Sequence, residues 1–144
     1  MSGIFIEYSS GWPCSREEKL NITEYVISYS KKCSGRIPEE NLVTDLSWRF
    51  VPSALLIEET VRNISAIIST YKPDRESREV CDGDITTINL ILKGEKSTWV
   101  FPLCAYEDMK LEMREALKPL LPSELPLPDF LHSYLDDIEE AEDQ

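Results

Sequence analysis

Histidine occurs once in this chain, glycine five times, and close cysteine pairs not at all. Each scarcity excludes something. Structural zinc sites draw on ligands in close pairs, whereas Cys14, Cys33, Cys81 and Cys104 are dispersed and only His132 could assist them. The expectation is therefore no metal and no cofactor. The glycines spell neither Gly-x-x-x-x-Gly-Lys nor Gly-x-Gly-x-x-Gly, so the backbone cradles that hold nucleotide phosphates are missing. No Gly-x-Ser-x-Gly elbow presents a nucleophilic serine. Long apolar runs are missing too. Ala54-Leu55-Leu56-Ile57 stops at Glu58 and Glu59, far short of the ~20 residues a membrane helix needs. Met1 to Glu7 has neither the basic start nor the apolar core of a secretory leader. These absences lead us to expect a cytoplasmic chain with reduced thiols and no membrane contact. The triplets Asn21-Ile22-Thr23 and Asn63-Ile64-Ser65 then match the glycosylation pattern by chance.

What the chain does have is acid. Its 144 residues fit one domain, and 42% hydrophobic residues are enough to form a core. We expect one acidic globular domain over 1–138 and a frayed acidic tail over 139–144. The formal net charge of −12 is unevenly spread. Residues 1–72 hold 8 basic and 9 acidic side chains, whereas residues 73–144 hold 7 basic and 18 acidic ones. Such a field repels phosphate backbones and anionic membranes and attracts basic surfaces.

Periodicity suggests an α+β fold with a small antiparallel sheet. Strands are expected near 4–8, 46–51, 85–93 and 98–103, from their β-formers and their alternation. Gly94 to Ser97 is read as the turn between the last two, with Pro102 near the strand end. Three to four amphipathic helices are expected near 17–33, 53–71, 107–120 and 129–140. The second is the clearest: Leu56, Val61, Ile64, Ile67, Ile68 and Tyr71 form one stripe, Pro52 precedes it, and Lys72-Pro73 ends it. Ile64 and Ile67 are expected in the core over Leu90. The mixture of helices with an antiparallel hairpin favours α+β over a doubly wound sheet.

Candidate chemistry is thin. His132 and Asp136 are spaced i, i+4, which suits a base and its orienter but equally a helix-surface contact. Glu79, Asp82 and Asp84 gather carboxylates around Gly83, yet the alternating ligands of a calcium loop are missing. Asp-Gly is also a common turn pair. Lys31, Lys32 and Arg36, beside Tyr25 and Tyr29, make a small basic stripe against a large negative background. No direct nucleic-acid binding is expected.

The acids remain. Asp136, Asp137, Glu139, Glu140, Glu142 and Asp143 form a dense run, with Asp82 and Asp84 upstream. These are the candidate partner-binding residues, with Trp12 in its Ser-Gly-Trp-Pro context as an aromatic anchor and Trp99 more suited to the sheet. In size, acidity and lack of a catalytic set, the chain resembles the immunity proteins that bacteria pair with secreted nuclease toxins. The resemblance covers no motif, so no residue role is carried over. It implies occlusion of a basic partner, such as a nuclease toxin, by a non-enzymatic inhibitor that is a monomer or small oligomer. Two alternatives stand beside it: an adaptor docking through the apolar faces of its last two helices, and an enzyme with an unfamiliar carboxylate site.

Overall fold

The computed structural model describes residues 2–10, 15–34, 45–73, 85–121 and 127–131. Six strands form one sheet: β1 (Gly3–Ser10), β2 (Ser15–Ile22), β3 (Ile27–Ser34), β4 (Asp45–Phe50), β5 (Ile85–Leu92) and β6 (Glu95–Phe101). Their spatial order is β4-β3-β2-β1-β5-β6, and every neighbouring pair is antiparallel. Among the described residues, two α-helices, α1 (Ala54–Tyr71) and α2 (Glu107–Leu117), pack on one face.

This corrects the expected helix count. Residues 17–33 are not a helix but most of the β2–β3 hairpin. The side chains at 18, 20 and 22, and again at 27 and 29, are buried on one face while their neighbours point away, which is the period of a strand. Thr23 closes the turn: its backbone N–H donates to the Val26 carbonyl at 3.0 Å, and its hydroxyl oxygen accepts from the Tyr25 and Val26 amides. Such local bonds from threonine favour turns over helix interiors. The helix expected near 107–120 is α2 followed by a 3₁₀ turn at Lys118–Leu120. Of the one expected near 129–140, only the 3₁₀ turn Asp129–Leu131 is described, and the rest lies outside the described residues. The last hairpin turns earlier than the glycine suggested. Lys93 and Gly94 both have positive φ, 52° and 85°, so these two residues alone make the turn and β6 begins at Glu95. Positive φ at both central positions matches the right-handed twist of the flanking strands.

α1 follows from its stripe. Ile57, Thr60, Val61, Ile64 and Ile68 are buried, and Leu56, Ile67 and Tyr71 are partly so. Lys72, in the left-handed region, donates its amide to the Ile68 carbonyl at 2.8 Å, and Pro73 prevents continuation. The sheet contributes Ile4, Ile6, Leu20, Ile22, Ile27, Tyr29, Trp48, Ile88, Leu90 and Phe101 to the same core, and α2 contributes Met109, Met113 and Leu117. The opposite sheet face bears exposed Glu7, Glu17, Lys19, Lys32, Ser47, Arg49 and Lys96. No helix among the described residues is long and apolar enough to cross a membrane.

The pairing register defines two ends of the sheet. The tight turns Thr23–Val26 and Lys93–Gly94 lie at one end, with Ile4 opposite both Ile22 and Leu90. At the other end Ser9 faces Ile85, Ser10 faces Arg16, Ser15 faces Ser34 and Lys32 faces Asp45. The 18 residues of α1 span about 27 Å at ~1.5 Å per residue. That is the length of an eight-residue strand at ~3.4 Å per residue, so one helix suffices to return the chain from the end of β4 to the start of β5.

Candidate functional site

Strand alternation brings an uncommon set of side chains to the core-facing side near that second end. β1 supplies Tyr8, β2 supplies Arg16 and Glu18, and β3 supplies Tyr29, with Tyr8 opposite Glu18 in the register. Glu18 is only 1% exposed. A buried carboxylate is stable only when bonded, and Glu18 is. The Tyr29 hydroxyl and the Phe130 backbone N–H (3.2 Å) donate to its Oε1, while Arg16 Nε lies 3.4 Å from its Oε2. The Arg16 guanidinium also donates to the Tyr8 hydroxyl at 3.3 Å. The Tyr8 ring stacks on Phe130 with centroids 5.8 Å apart, and Tyr29 lies against Trp48 at 5.6 Å.

The roof over this floor is the 3₁₀ turn Asp129–Leu131. Phe130 and Leu131 are buried, and Arg114 of α2 donates to the Leu131 carbonyl at 3.4 Å. The arrangement binds the carboxylate to the chain's own groups. In this state Glu18 acts as a structural hub, with its oxygens turned inward and the roof closed above them.

A concavity of about 260 Å³ is lined by Glu7, Tyr8, Ser9, Glu17, Glu18, Lys19, Ile85 and Thr87 of β1, β2 and β5. The basic stripe anticipated from Lys31 and Lys32 is divided by the pleat. Lys32 is exposed on the open face and Lys31 is half-buried toward the other, while Tyr29 is core and Tyr25 projects from the turn at the opposite end. Lys31, Lys32, Tyr25 and Tyr29 therefore do not share one surface, and Arg36 lies outside the described residues.

All the predicted partner-binding residues, Trp12, Asp82, Asp84, Asp136, Asp137, Glu139, Glu140, Glu142 and Asp143, lie outside the described residues, as do His132 and Glu79. What the fold does place is their anchor points. Ser10 and Ser15 flank the stretch with Trp12, Ile85 follows the stretch with Asp82 and Asp84, and all three belong to the second end of the sheet. Leu131, the last described residue before the acid run, is held beside Glu18 near that same end. The described residues carry 13 acidic and 12 basic side chains, a net of −1, leaving 14 acids against three bases in the stretches between and after them. The sequence pattern identified the charge imbalance but not the Arg16–Glu18–Tyr29 hub. The available signal was the alternation of Glu18, Leu20 and Ile22, in which the first member is charged.

At the outer edge of the helical layer, Glu112 of α2 accepts a hydrogen bond from the Tyr71 hydroxyl. That bond, with burial and the charges of Glu112 and Asp108, pushes the tyrosine up to about 12 from its ordinary 10.0. The folded value is the higher one, so the neutral phenol is favoured by folding. The contribution is intact below pH ~10 and is lost as pH rises toward 12. Titration of phenolate absorbance in the wild type and in Tyr71→Phe should differ by one step near pH 12. Loss of an ordinary step near pH ~10 instead would show that the Tyr71–Glu112 bond is not made.

Comparison with protein-family models, with curated proteins and with solved structures returns no match.

Proposed function

We propose that the protein is a cofactor-free binding protein of the cytoplasm. In this proposal it neutralises a basic partner, such as a nuclease toxin, by occlusion. The observation that carries this reading is the segregation of charge. The described scaffold is almost neutral, while a surplus of 11 negative charges belongs to stretches outside it, several of them joined to one end of the sheet. A surplus of one sign beside a nearly neutral scaffold speeds encounter with a partner of opposite sign. Among the described residues, the buried apolar sides of α1 and α2 are turned into the core, which supports recognition by charge over docking by those two faces.

A purified basic nuclease of the toxin type is the probe. Association should slow severalfold or more between low salt and about 0.5 M, where the Debye length falls to roughly 4 Å. Joint neutralisation of Asp136, Asp137, Glu139 and Glu140 should slow it at low salt and have little effect at high salt. Binding that ignores salt would reject the electrostatic reading and favour apolar docking by an adaptor. Hydrolysis of a substrate by the isolated chain would reject the non-enzymatic one.

A further inference from the structure

We infer that the protein pairs with a second copy of itself through the outer edge of β4, in an antiparallel contact centred on Ser47. β4 is the last strand on its side of the sheet, and among the described residues no strand pairs with its outer edge. Backbone bonds along an antiparallel strand alternate from one side to the other, and the β2–β3 turn sets the phase. The Thr23 amide donates to the Val26 carbonyl. By alternation, Ser28, Ser30 and Lys32 bond to β2, while Ile27, Tyr29 and Lys31 bond to β4. Their partners Phe50, Trp48 and Leu46 therefore bond inward. Asp45, Ser47 and Arg49 turn their backbone N–H and C=O groups outward, which is the template a further strand needs.

The charges on this edge select the strand that fits it. Outward positions pair only with outward positions. A two-fold axis through Ser47 sets Ser47 against Ser47 of the second copy and Asp45 against its Arg49, twice over. The edge is then its own complement, the condition for a closed contact between identical chains. Opposite charges directly across a strand pair favour it, and like charges oppose it. An axis through Leu46 or Trp48 breaks both pairs. β6, at the other side of the sheet, does not complement itself. Its turn at Lys93 and Gly94 makes Leu92 and Glu95 a bonded pair, so its outward positions are Lys96, Thr98 and Val100. They offer Lys96 no acid, and an edge lysine left so deters pairing. The β4 contact joins two sheets into one and leaves each core face under its own helices. It does not depend on capture of a basic partner.

Sedimentation equilibrium of the full chain tests this. About 0.15 M salt is suitable, because a Debye length of roughly 8 Å screens the net charge of −12 on each copy. One short strand makes a small contact, at the weak end of protein association, so monomer and dimer should both be populated near about 100 μM. Asp45→Arg and Arg49→Asp each turn both opposite-charge pairs into like-charge pairs, and each should weaken the dimer at least about 10-fold. An equimolar mixture of the two variants should regain it, because every charge then meets its opposite. Ser47→Pro removes an outward N–H while keeping the bonds to β3; it should abolish the dimer with an unchanged circular dichroism spectrum. A wild type that stays monomeric to about 1 mM overturns the proposal. So does a dimer that survives Asp45→Arg and Ser47→Pro, a mixture that does not re-associate, or a species larger than two chains.

Discussion

Ile64→Ala should lower the free energy of unfolding by about 2–5 kcal/mol, the range for removing a large aliphatic side chain from a packed core. Ile64 is fully buried at the centre of the α1 stripe, one helical turn from both Val61 and Ile68. Both sides of α1 are already committed, to the sheet and to α2, so the space left by the missing carbons cannot be closed by moving the helix alone. For a domain of ordinary stability, about 5–15 kcal/mol, the loss takes a large fraction of the total. Leu55→Ala is the internal control. Leu55 is on the same helix but 80% exposed, and its replacement should change stability by less than ~0.5 kcal/mol. Urea midpoints with an unchanged slope measure both. Equal effects at the two positions would show that the stripe does not face the core.

α1 was legible because every level agrees over 53–71: a stripe of period 3.6, a proline before it and a proline after it. β5 was legible for the same reason, with Thr86, Ile88 and Leu90 buried in alternation. The β2–β3 hairpin was not. In a strand whose core-facing residues are apolar, the period of two is visible. Here the core-facing positions 16 and 18 are arginine and glutamate. With those two unread, Leu20, Tyr25, Val26, Tyr29 and Cys33 fall close enough to helical spacing to suggest a helix. The misreading and the buried hub have one cause: the residues that disguise the strand are the residues that form the network.

The candidate site divides in the same way. Net charge is additive along the chain and needs no fold, so the acidic surplus could be counted directly. That the described scaffold is neutral, and that acid-bearing stretches join it at a common end, depends on pairing partners such as Ser9 with Ile85, 76 positions apart. Proximity of Glu18 to Phe130, separated by 112 positions, depends on the sheet and the roof being assembled together. Local propensity contains neither distance.

Glu18→Ala alone should destabilise the fold by about 3–5 kcal/mol, the usual result of removing one member of a buried ion pair. The penalty arises less from the lost attraction than from the groups left behind: the Arg16 guanidinium, the Tyr29 hydroxyl and the Phe130 amide. Arg16 is 25% exposed, so part of its charge can be hydrated, which places the value toward the lower end of that range. The double replacement Arg16→Met, Glu18→Leu should be much milder than the sum of the single changes, about 1–3 kcal/mol. It removes both charges and fills the space with apolar atoms, and the cost that remains includes the acceptor that Glu18 offers the Tyr29 hydroxyl and the Phe130 amide. A double-mutant cycle from urea midpoints gives the coupling directly. Strict additivity would show that Arg16 and Glu18 do not act together.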